Sequence, residues 1–167
     1  MWAFSIFLAI FCAFLQSTFL PAISIYGGAI EISLVVVLIF LFFGRLREAS
    51  IFLLVSALFS SLFSGVPVIY QILPEFLIVA IYVFLDYKRV FFRPNTLLAL
   101  PVFILAVVLA DFSRLVLLRE VAVGNIQVLI ANALYTAIFG TGIFYITNKI
   151  FHLLNPHIMR DRIKLGR

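Results

Sequence analysis

Apolar runs long enough to cross a bilayer follow one another along this chain, separated by short polar turns. The first run, residues 2–20, contains no charged residue. Because the hydrocarbon core of a bilayer is about 30 Å thick, a helix of about 20 apolar residues spans it. The chain is 65% hydrophobic and only 11% charged, which leaves a water-soluble fold too few polar groups to cover its surface. We therefore predict an all-α integral membrane protein.

The hydropathy pattern predicts six transmembrane helices, with turn residues between them. The spans are 2–20, 30–43, 49–64, 68–85, 96–118 and 126–150. Pro21 ends the first span, Pro74 lies inside the fourth, and Asn125 is the predicted N-cap of the sixth. The first run has no basic segment before it, so we interpret it as a retained helix and not a cleaved signal. Residues 1–155 are predicted to form one transmembrane domain and residues 156–167 a short basic cytoplasmic tail.

The basic residues are distributed unequally between the two sides of this arrangement. Ten of the 12 Lys and Arg residues fall in the second-to-third loop, in the fourth-to-fifth loop, or at the C-terminal end, and only Arg114 and Arg119 fall on the other side. The positive-inside rule then places both termini in the cytoplasm. The short clusters of basic residues between apolar runs indicate membrane orientation and not a groove that follows a nucleic-acid backbone.

Small residues recur at helical spacing in three of the predicted spans. Helices in lipid associate by close packing, which small side chains permit. The candidate packing residues are Ala9 and Ala13 in the first helix, Ala57, Ser60, Ser61 and Gly65 in the third, and Ala133 and Ala137 in the sixth. Two interpretations are open: the stripes pack within one six-helix bundle, or one of them docks the transmembrane helix of a partner.

An acid and a base lie three residues apart near the end of the fifth span. Intramembrane ionisable residues are costly and often functional, so Asp111 and Arg114 are candidate site residues. At this spacing they share a helix face and can neutralise each other. They either form a local pair, with Arg119 and Glu120 at the interface, or contact a partner at the outer face.

Two glutamates complete the candidate site. Glu31 begins the second helix, where a carboxylate suits the positive helix N-terminus. Glu75 follows Pro74 and lies inside the fourth helix, or starts that helix if the preceding segment is re-entrant. With Asp111 and Arg114, the two glutamates are predicted to cluster towards the periplasmic half, as a docking rim or a small outward pocket.

Residues with catalytic or metal chemistry are sparse. The two histidines, His152 and His157, flank a proline at the predicted inner boundary, and Cys12 is the only cysteine. The sequence has no Gly-rich phosphate loop and no Cys/His cluster. We therefore expect no enzyme activity, no metal and no cofactor.

One family resemblance lies in the first 70 residues. The segment FLQSTFLPAISIYGGAIEISLVVVLIFLFFGRLREA contains Gln16, Ser17, Thr18, Leu20, Pro21, Gly27, Gly28, Glu31 and Arg45, and ALFSSLFSGVP adds Leu58, Ser64 and Gly65. These residues resemble the start of the rod shape-determining protein MreD family. In that family a helix ends in Gln-Ser/Thr-x-Leu-Pro, and a glycine-containing turn, a second helix and a short basic loop follow. Ile30 stands where the family usually has proline, and Ser61 where it often has aspartate.

The resemblance implies a non-catalytic subunit of the bacterial cell-elongation machinery in the cytoplasmic (inner) membrane. Its implied partners are an MreC-like bitopic protein and, more distantly, MreB and the RodA–transpeptidase synthase. The fold of the family is also similar to the substrate-binding S-components of energy-coupling-factor transporters. The alternative expectation is therefore the substrate-binding membrane subunit of a small-solute transporter.

Overall fold

The computed structural model describes residues 2–23, 30–87, 96–118 and 123–154. Six α-helices form this part of the chain: α1 (Trp2–Phe14), α2 (Ile32–Phe42), α3 (Leu46–Ser64), α4 (Val68–Tyr87), α5 (Thr96–Leu118) and α6 (Val123–Leu154). A π-helical turn, Leu15–Phe19, and a 3-10 turn, Leu20–Ile23, continue α1. The described residues contain no strand. The predicted all-helical fold is confirmed.

Four of these helices, α3 to α6, contain segments long and apolar enough to cross a membrane. The apolar segment of the first helix, Ala3–Phe19, and the segment of α2, Ile32–Phe42, are shorter. At 1.5 Å per residue, the 11 residues of α2 rise about 16 Å, roughly half the thickness of a bilayer core. The chain is thus a membrane protein by its helices, and the crossing of the membrane by all six remains a prediction.

Successive helices run in opposite directions. Phe14 packs against Phe63, so the C-terminal ends of α1 and α3 meet. Phe43 packs against Phe151, which joins the C-terminal ends of α2 and α6. The Tyr82 hydroxyl donates to a carbonyl near the end of α2, at 3.1 Å, and so brings the end of α4 to the same place. We name this the basic end, after Arg45, Arg47 and Lys149, and its opposite the acidic end.

The short helix α2 lies at the centre of the bundle. It contacts each of the other five helices, which follow one another around it in the order α1, α3, α4, α5, α6. Its side chains are apolar on nearly all sides, as expected for a buried helix. Eight of its 11 residues are buried: Ser33, Leu34, Val35, Val37, Leu38, Ile39, Leu41 and Phe42.

A Schellman motif ends α2 and turns the chain into α3. The Arg45 N–H donates to the Phe40 carbonyl and the Gly44 N–H to the Leu41 carbonyl, both at 2.8 Å. Gly44 has a φ of 71°, the left-handed conformation that this motif requires. The basic loop of the sequence is therefore a tight helix-to-helix connection.

Small residues bring α1 and α3 together. Ala9 and Ala13 are fully buried on α1, and Ala57 is 3% exposed on α3. These two helices pack against each other. Ser60 and Ser61, nearer the acidic end, are half-buried. The stripe of α1 is thus covered within this chain, and the stripe of α3 is covered at Ala57.

The small residues of α6 face α5 and α2. Ala133 and Ala137 are buried, and Gly140 continues the same face. A Cβ at Gly140 would lie 2.9 Å from the ring of Phe103 in α5 and 3.1 Å from a methyl group of Val35 in α2. The stripe predicted for α6 therefore extends to Gly140, where only glycine permits this separation.

Three local predictions differ from the structure. Gly65, predicted to pack between helices, is exposed, and a Cβ at this position would meet no heavy atom within 4 Å; with a φ of 69° it ends α3. The Ser61 hydroxyl donates to the Val66 carbonyl in the same turn, at 2.6 Å. Asn125 is not the N-cap of α6, because that helix begins at Val123. Helix α4 runs without interruption through Pro74, so the alternative of a helix that starts at Glu75 is wrong.

Candidate functional site

Arg114 gathers three acidic residues from three helices into one buried group. Its guanidinium donates a hydrogen bond to Glu31, which precedes α2, and another to Asp111 in its own helix, at 3.1 Å. One nitrogen of Arg114 also lies 3.7 Å from a carboxylate oxygen of Glu75 in α4. The four residues predicted to cluster are therefore in contact. We call Glu31, Glu75, Asp111 and Arg114 the ion cluster.

Arg114 has more carboxylate partners than either prediction for the fifth helix gave it. Asp111 and Arg114 do form a local i,i+3 pair, but the same guanidinium also binds Glu31, 83 residues earlier in the chain. Arg119 and Glu120, expected to flank the pair, lie outside the described residues. Arg114 is consequently shared among three carboxylates.

Two neutral side chains hold the N-terminus of α2 beside the ion cluster. The first N–H groups of a helix have no partner within the helix, and burial would leave them unsatisfied. Gln16, in the π-helical turn after α1, accepts a hydrogen bond from the Ser33 N–H at 3.1 Å. Thr136 of α6, fully buried, accepts one from the Glu31 N–H at 3.0 Å. Because the N-terminal end of α2 lies inside the protein, these two hydrogen bonds replace those that water would otherwise make.

A third neutral residue fixes the orientation of Asp111. The Asn132 amide of α6 donates to the second carboxylate oxygen of Asp111 at 2.9 Å. Asn132 and Thr136 were not predicted, although their spacing of four residues places them on one face of a helix that is otherwise apolar there. They connect the ion cluster to the last helix of the bundle, whereas Gln16 connects the start of α2 to the turn that follows the first helix.

The ion cluster lies nearer the acidic end than the basic end. Glu31 directly precedes α2, whose 11 residues rise about 16 Å, and Glu75 precedes Tyr87 by 12 residues of α4, a rise of about 18 Å. Arg114 is only four residues, about 6 Å, from the C-terminal end of α5. The Arg114 side chain is 19% exposed, so the cluster reaches the protein surface there.

The ion cluster buries more negative charge than positive charge. Its three acids are at most 8% exposed, and Arg114 is the only cation in contact with them among the described residues. Within the described part of the chain, the second carboxylate oxygens of Glu31 and Glu75 and the Nε of Arg114 are buried without a hydrogen-bond partner. Buried ions need partners to offset the loss of hydration. The cluster is thus incompletely satisfied.

The described residues contain no group of three His, Cys, Asp or Glu side chains placed to hold a metal ion. The carboxylates can instead accept hydrogen bonds, bind an organic cation or exchange protons. A second surface feature lies at the basic end, where a groove of about 550 Å³ opens between α3 and α4. Ser50 and Ala80 are small residues in its apolar lining. The chain therefore offers a polar site and an apolar groove in different halves of the bundle.

Comparison with family models, curated proteins and solved structures finds no significant match. The resemblance of the first 70 residues to a known family therefore stays a prediction.

Proposed function

We propose that this protein is a non-catalytic, multi-pass subunit of the bacterial cell-elongation machinery. In this proposal it resides in the cytoplasmic membrane, crosses it six times, and supports peptidoglycan synthesis through helix contacts with partners. An MreC-like bitopic protein is the direct partner, and MreB and the RodA–transpeptidase synthase are more distant ones. In this proposal its action is structural, since the ion cluster holds helices together.

One observation carries this proposal. Two residues of the family-like segment, Gln16 and Glu31, hold the N-terminus of α2 in its buried position. Gln16 does so through the Ser33 N–H, and Glu31 through Arg114. The segment that resembles the MreD family therefore supplies Glu31 to the ion cluster and, through Gln16, satisfies the start of the helix beside it.

The direction of the helices supports the six-span arrangement. Trp2 begins α1 and Leu154 ends α6, and both of these helix ends belong to the basic end. Arg45, Arg47 and Lys149 lie at the same end of the described chain. By the positive-inside rule this end faces the cytoplasm and carries both termini. Protease treatment of sealed membrane vesicles that cleaves the 156–167 tail only from the cytoplasmic side would agree with this topology.

The groove between α3 and α4 is suited to docking the transmembrane helix of a partner. It is apolar, opens sideways, and includes Ser50 and Ala80, which allow close approach of another backbone. The small-residue stripes of α1 and α6 are already covered within the chain. We therefore assign partner docking to this groove.

A second candidate function is the substrate-binding membrane subunit of a small-solute transporter. The observation in its favour is the buried ion cluster, whose unpartnered carboxylate oxygens resemble the few convergent polar groups of a ligand site. In that case the carboxylates would bind the solute directly. The two functions differ in the proteins that surround the chain.

Photocrosslinking in cells distinguishes the two functions. A photoreactive amino acid replaces Ala80 in the α3–α4 groove, and a control places it at Leu134, an exposed residue of α6. We expect crosslinks from Ala80 to an MreC-like protein, fewer from Leu134, and rounded cells on depletion. Crosslinks to a membrane coupling protein that co-purifies with two ATPase subunits, with normal cell shape, would instead favour the transporter.

A further inference from the structure

The charge imbalance of the ion cluster extends to the whole acidic end. The cluster itself contains three carboxylates and one guanidinium. The loop that connects α5 and α6 adds one further residue of each sign, Arg119 and Glu120. The sequence therefore places four acids and two arginines on this side, whereas the other side holds ten basic residues and three acids. Loop charges leave the deficit of positive charge unchanged.

The deficit is localised at two glutamates. Glu75 is held only by the 3.7 Å ion pair to Arg114 among the described residues, although its side chain is 6% exposed. The second oxygens of Glu75 and Glu31 are buried and accept no hydrogen bond from the described part of the chain. Both glutamates contact the same guanidinium through their other oxygens, so the two carboxylates flank one side chain. Two buried acceptors with one cation between them are short of a donor that carries positive charge.

We propose that the ion cluster binds a second organic cation, an ammonium or guanidinium group that donates hydrogen bonds to the free oxygens of Glu31 and Glu75. Such a group supplies both the missing charge and the missing donors. The described acids are not placed to form a metal site, which favours a cation with N–H donors. Access is from the acidic end, where Arg114 is partly exposed.

Two sources carry this chemistry. One is a Lys or Arg side chain at the membrane-embedded end of a partner segment, and the other is a free amine or guanidine solute. The choice between them rests on the proposed function: a partner side chain fits a scaffold, and a solute fits a transporter subunit. The binding chemistry is the same in both cases and is testable on the isolated chain.

The test is a titration of the purified full-length protein in lipid nanodiscs with methylguanidinium chloride. Unfolding is followed through Cys12, the only cysteine, which is 3% exposed and reacts with a thiol-specific fluorogenic dye once the bundle opens. Tetramethylammonium chloride at equal concentration is the control cation, because it has the charge but no N–H donor. Binding to the folded state raises Tm in proportion to the logarithm of ligand concentration above Kd.

We expect methylguanidinium, and not tetramethylammonium, to raise Tm by a few degrees. Glu75→Gln should abolish the rise, because it removes one acceptor charge with little change in size. The matched control is Asp86→Asn, an exposed acid at the basic end, which should keep the full response. If Glu75→Gln does not fold, Glu75→Lys is used, since its ammonium takes the place of the bound cation and should remove the response.

Two results would overturn the inference. The first is an equal Tm rise with both cations, or an undiminished methylguanidinium response in Glu75→Gln. The second is no methylguanidinium response in the wild-type protein. If a protonated-carboxyl infrared band that Glu75→Gln removes accompanies that result, protons, and not an organic cation, balance the charge.

The source of the cation is found with a photoreactive amino acid at Phe112, an exposed neighbour of Asp111. A crosslink to a Lys- or Arg-containing membrane segment, in a complex that no longer responds to methylguanidinium, identifies a partner side chain. An amine that co-purifies with the partner-free chain identifies a solute. If crosslinking in cells finds no cell-wall partner while the purified chain still responds to methylguanidinium, the cation site is supported and the proposed scaffold function is contradicted.

Discussion

Arg114→Met tests whether the ion cluster is held together by its single arginine. The substitution keeps an extended apolar side chain and removes the only described cation that contacts Glu31, Glu75 and Asp111. Removal of one partner from a buried ion pair typically costs about 3–5 kcal/mol, because the other charge stays buried and uncompensated. Arg114 is 19% exposed and therefore mostly shielded from water. We expect a loss near that range, or a fall in Tm of about 10 °C for a chain of this size.

Neutralising the whole cluster should recover most of this loss. The neutral variant carries four substitutions, and none of the cluster positions is then charged. They are Glu31→Gln, Glu75→Gln, Asp111→Asn and Arg114→Met. Replacement of a complete buried ion network by neutral side chains is often close to neutral in stability. The control is Arg47→Met, the same substitution at an exposed arginine of the basic end. Surface substitutions of this kind usually change stability by less than about 0.5 kcal/mol.

The assay is thermal unfolding in nanodiscs, read out by the reactivity of the buried Cys12 thiol. Two results would contradict the reasoning. If Arg114→Met unfolds at the same temperature as Arg47→Met, the ion cluster contributes nothing to stability. If the fully neutralised variant is as unstable as Arg114→Met, the loss comes from the packing of the arginine stem and not from its charge.

Two further predictions concern helix packing, and the same Cys12 assay checks both. Gly140→Ala should be about 1–3 kcal/mol less stable than Gly142→Ala, because only the Cβ at position 140 meets the ring of Phe103. Both substitutions gain the same helix propensity, so the comparison isolates the packing effect. Equal stability would show that the ring moves aside freely. Ala57→Leu should destabilise by about 1–3 kcal/mol, because Ala57 is 3% exposed and a larger side chain overpacks its site, while Leu58→Ala on the exposed side of α3 should be nearly neutral. The reverse order would contradict the burial of this face of α3.

The helices were largely predictable, because hydrophobic runs and basic loops determine them directly. The fifth helix has the predicted bounds, and the third begins three residues earlier, at Leu46. The π-helical turn at Leu15–Phe19 was not predictable from hydropathy, since it changes the hydrogen-bond pattern and not the composition. The central place of α2 was also missed. A helix that is apolar all round is a core candidate, but lipid can surround such a helix equally well.

The members of the candidate site were predictable, and their partners were not. Intramembrane charge alone identifies Glu31, Glu75, Asp111 and Arg114. The bond between Arg114 and Glu31 depends on how α2 packs against α5, which short-range sequence patterns do not contain. The sequence marks the neutral residue Gln16 only as part of a family-like motif. Its contact with the Ser33 N–H follows from a buried helix N-terminus, and this became visible only in the structure.

The continuous helix α6 gives the bundle a mechanical property. It has 32 residues and contains no proline. Asn132, at the ion cluster, and Leu154, at the last turn, are separated by 22 residues, about 33 Å of rigid rod. A tilt of about 5° at the level of Asn132 displaces the far end by about 3 Å. If a change at the ion cluster tilted α6, the opposite end of this helix would therefore move by a few ångströms.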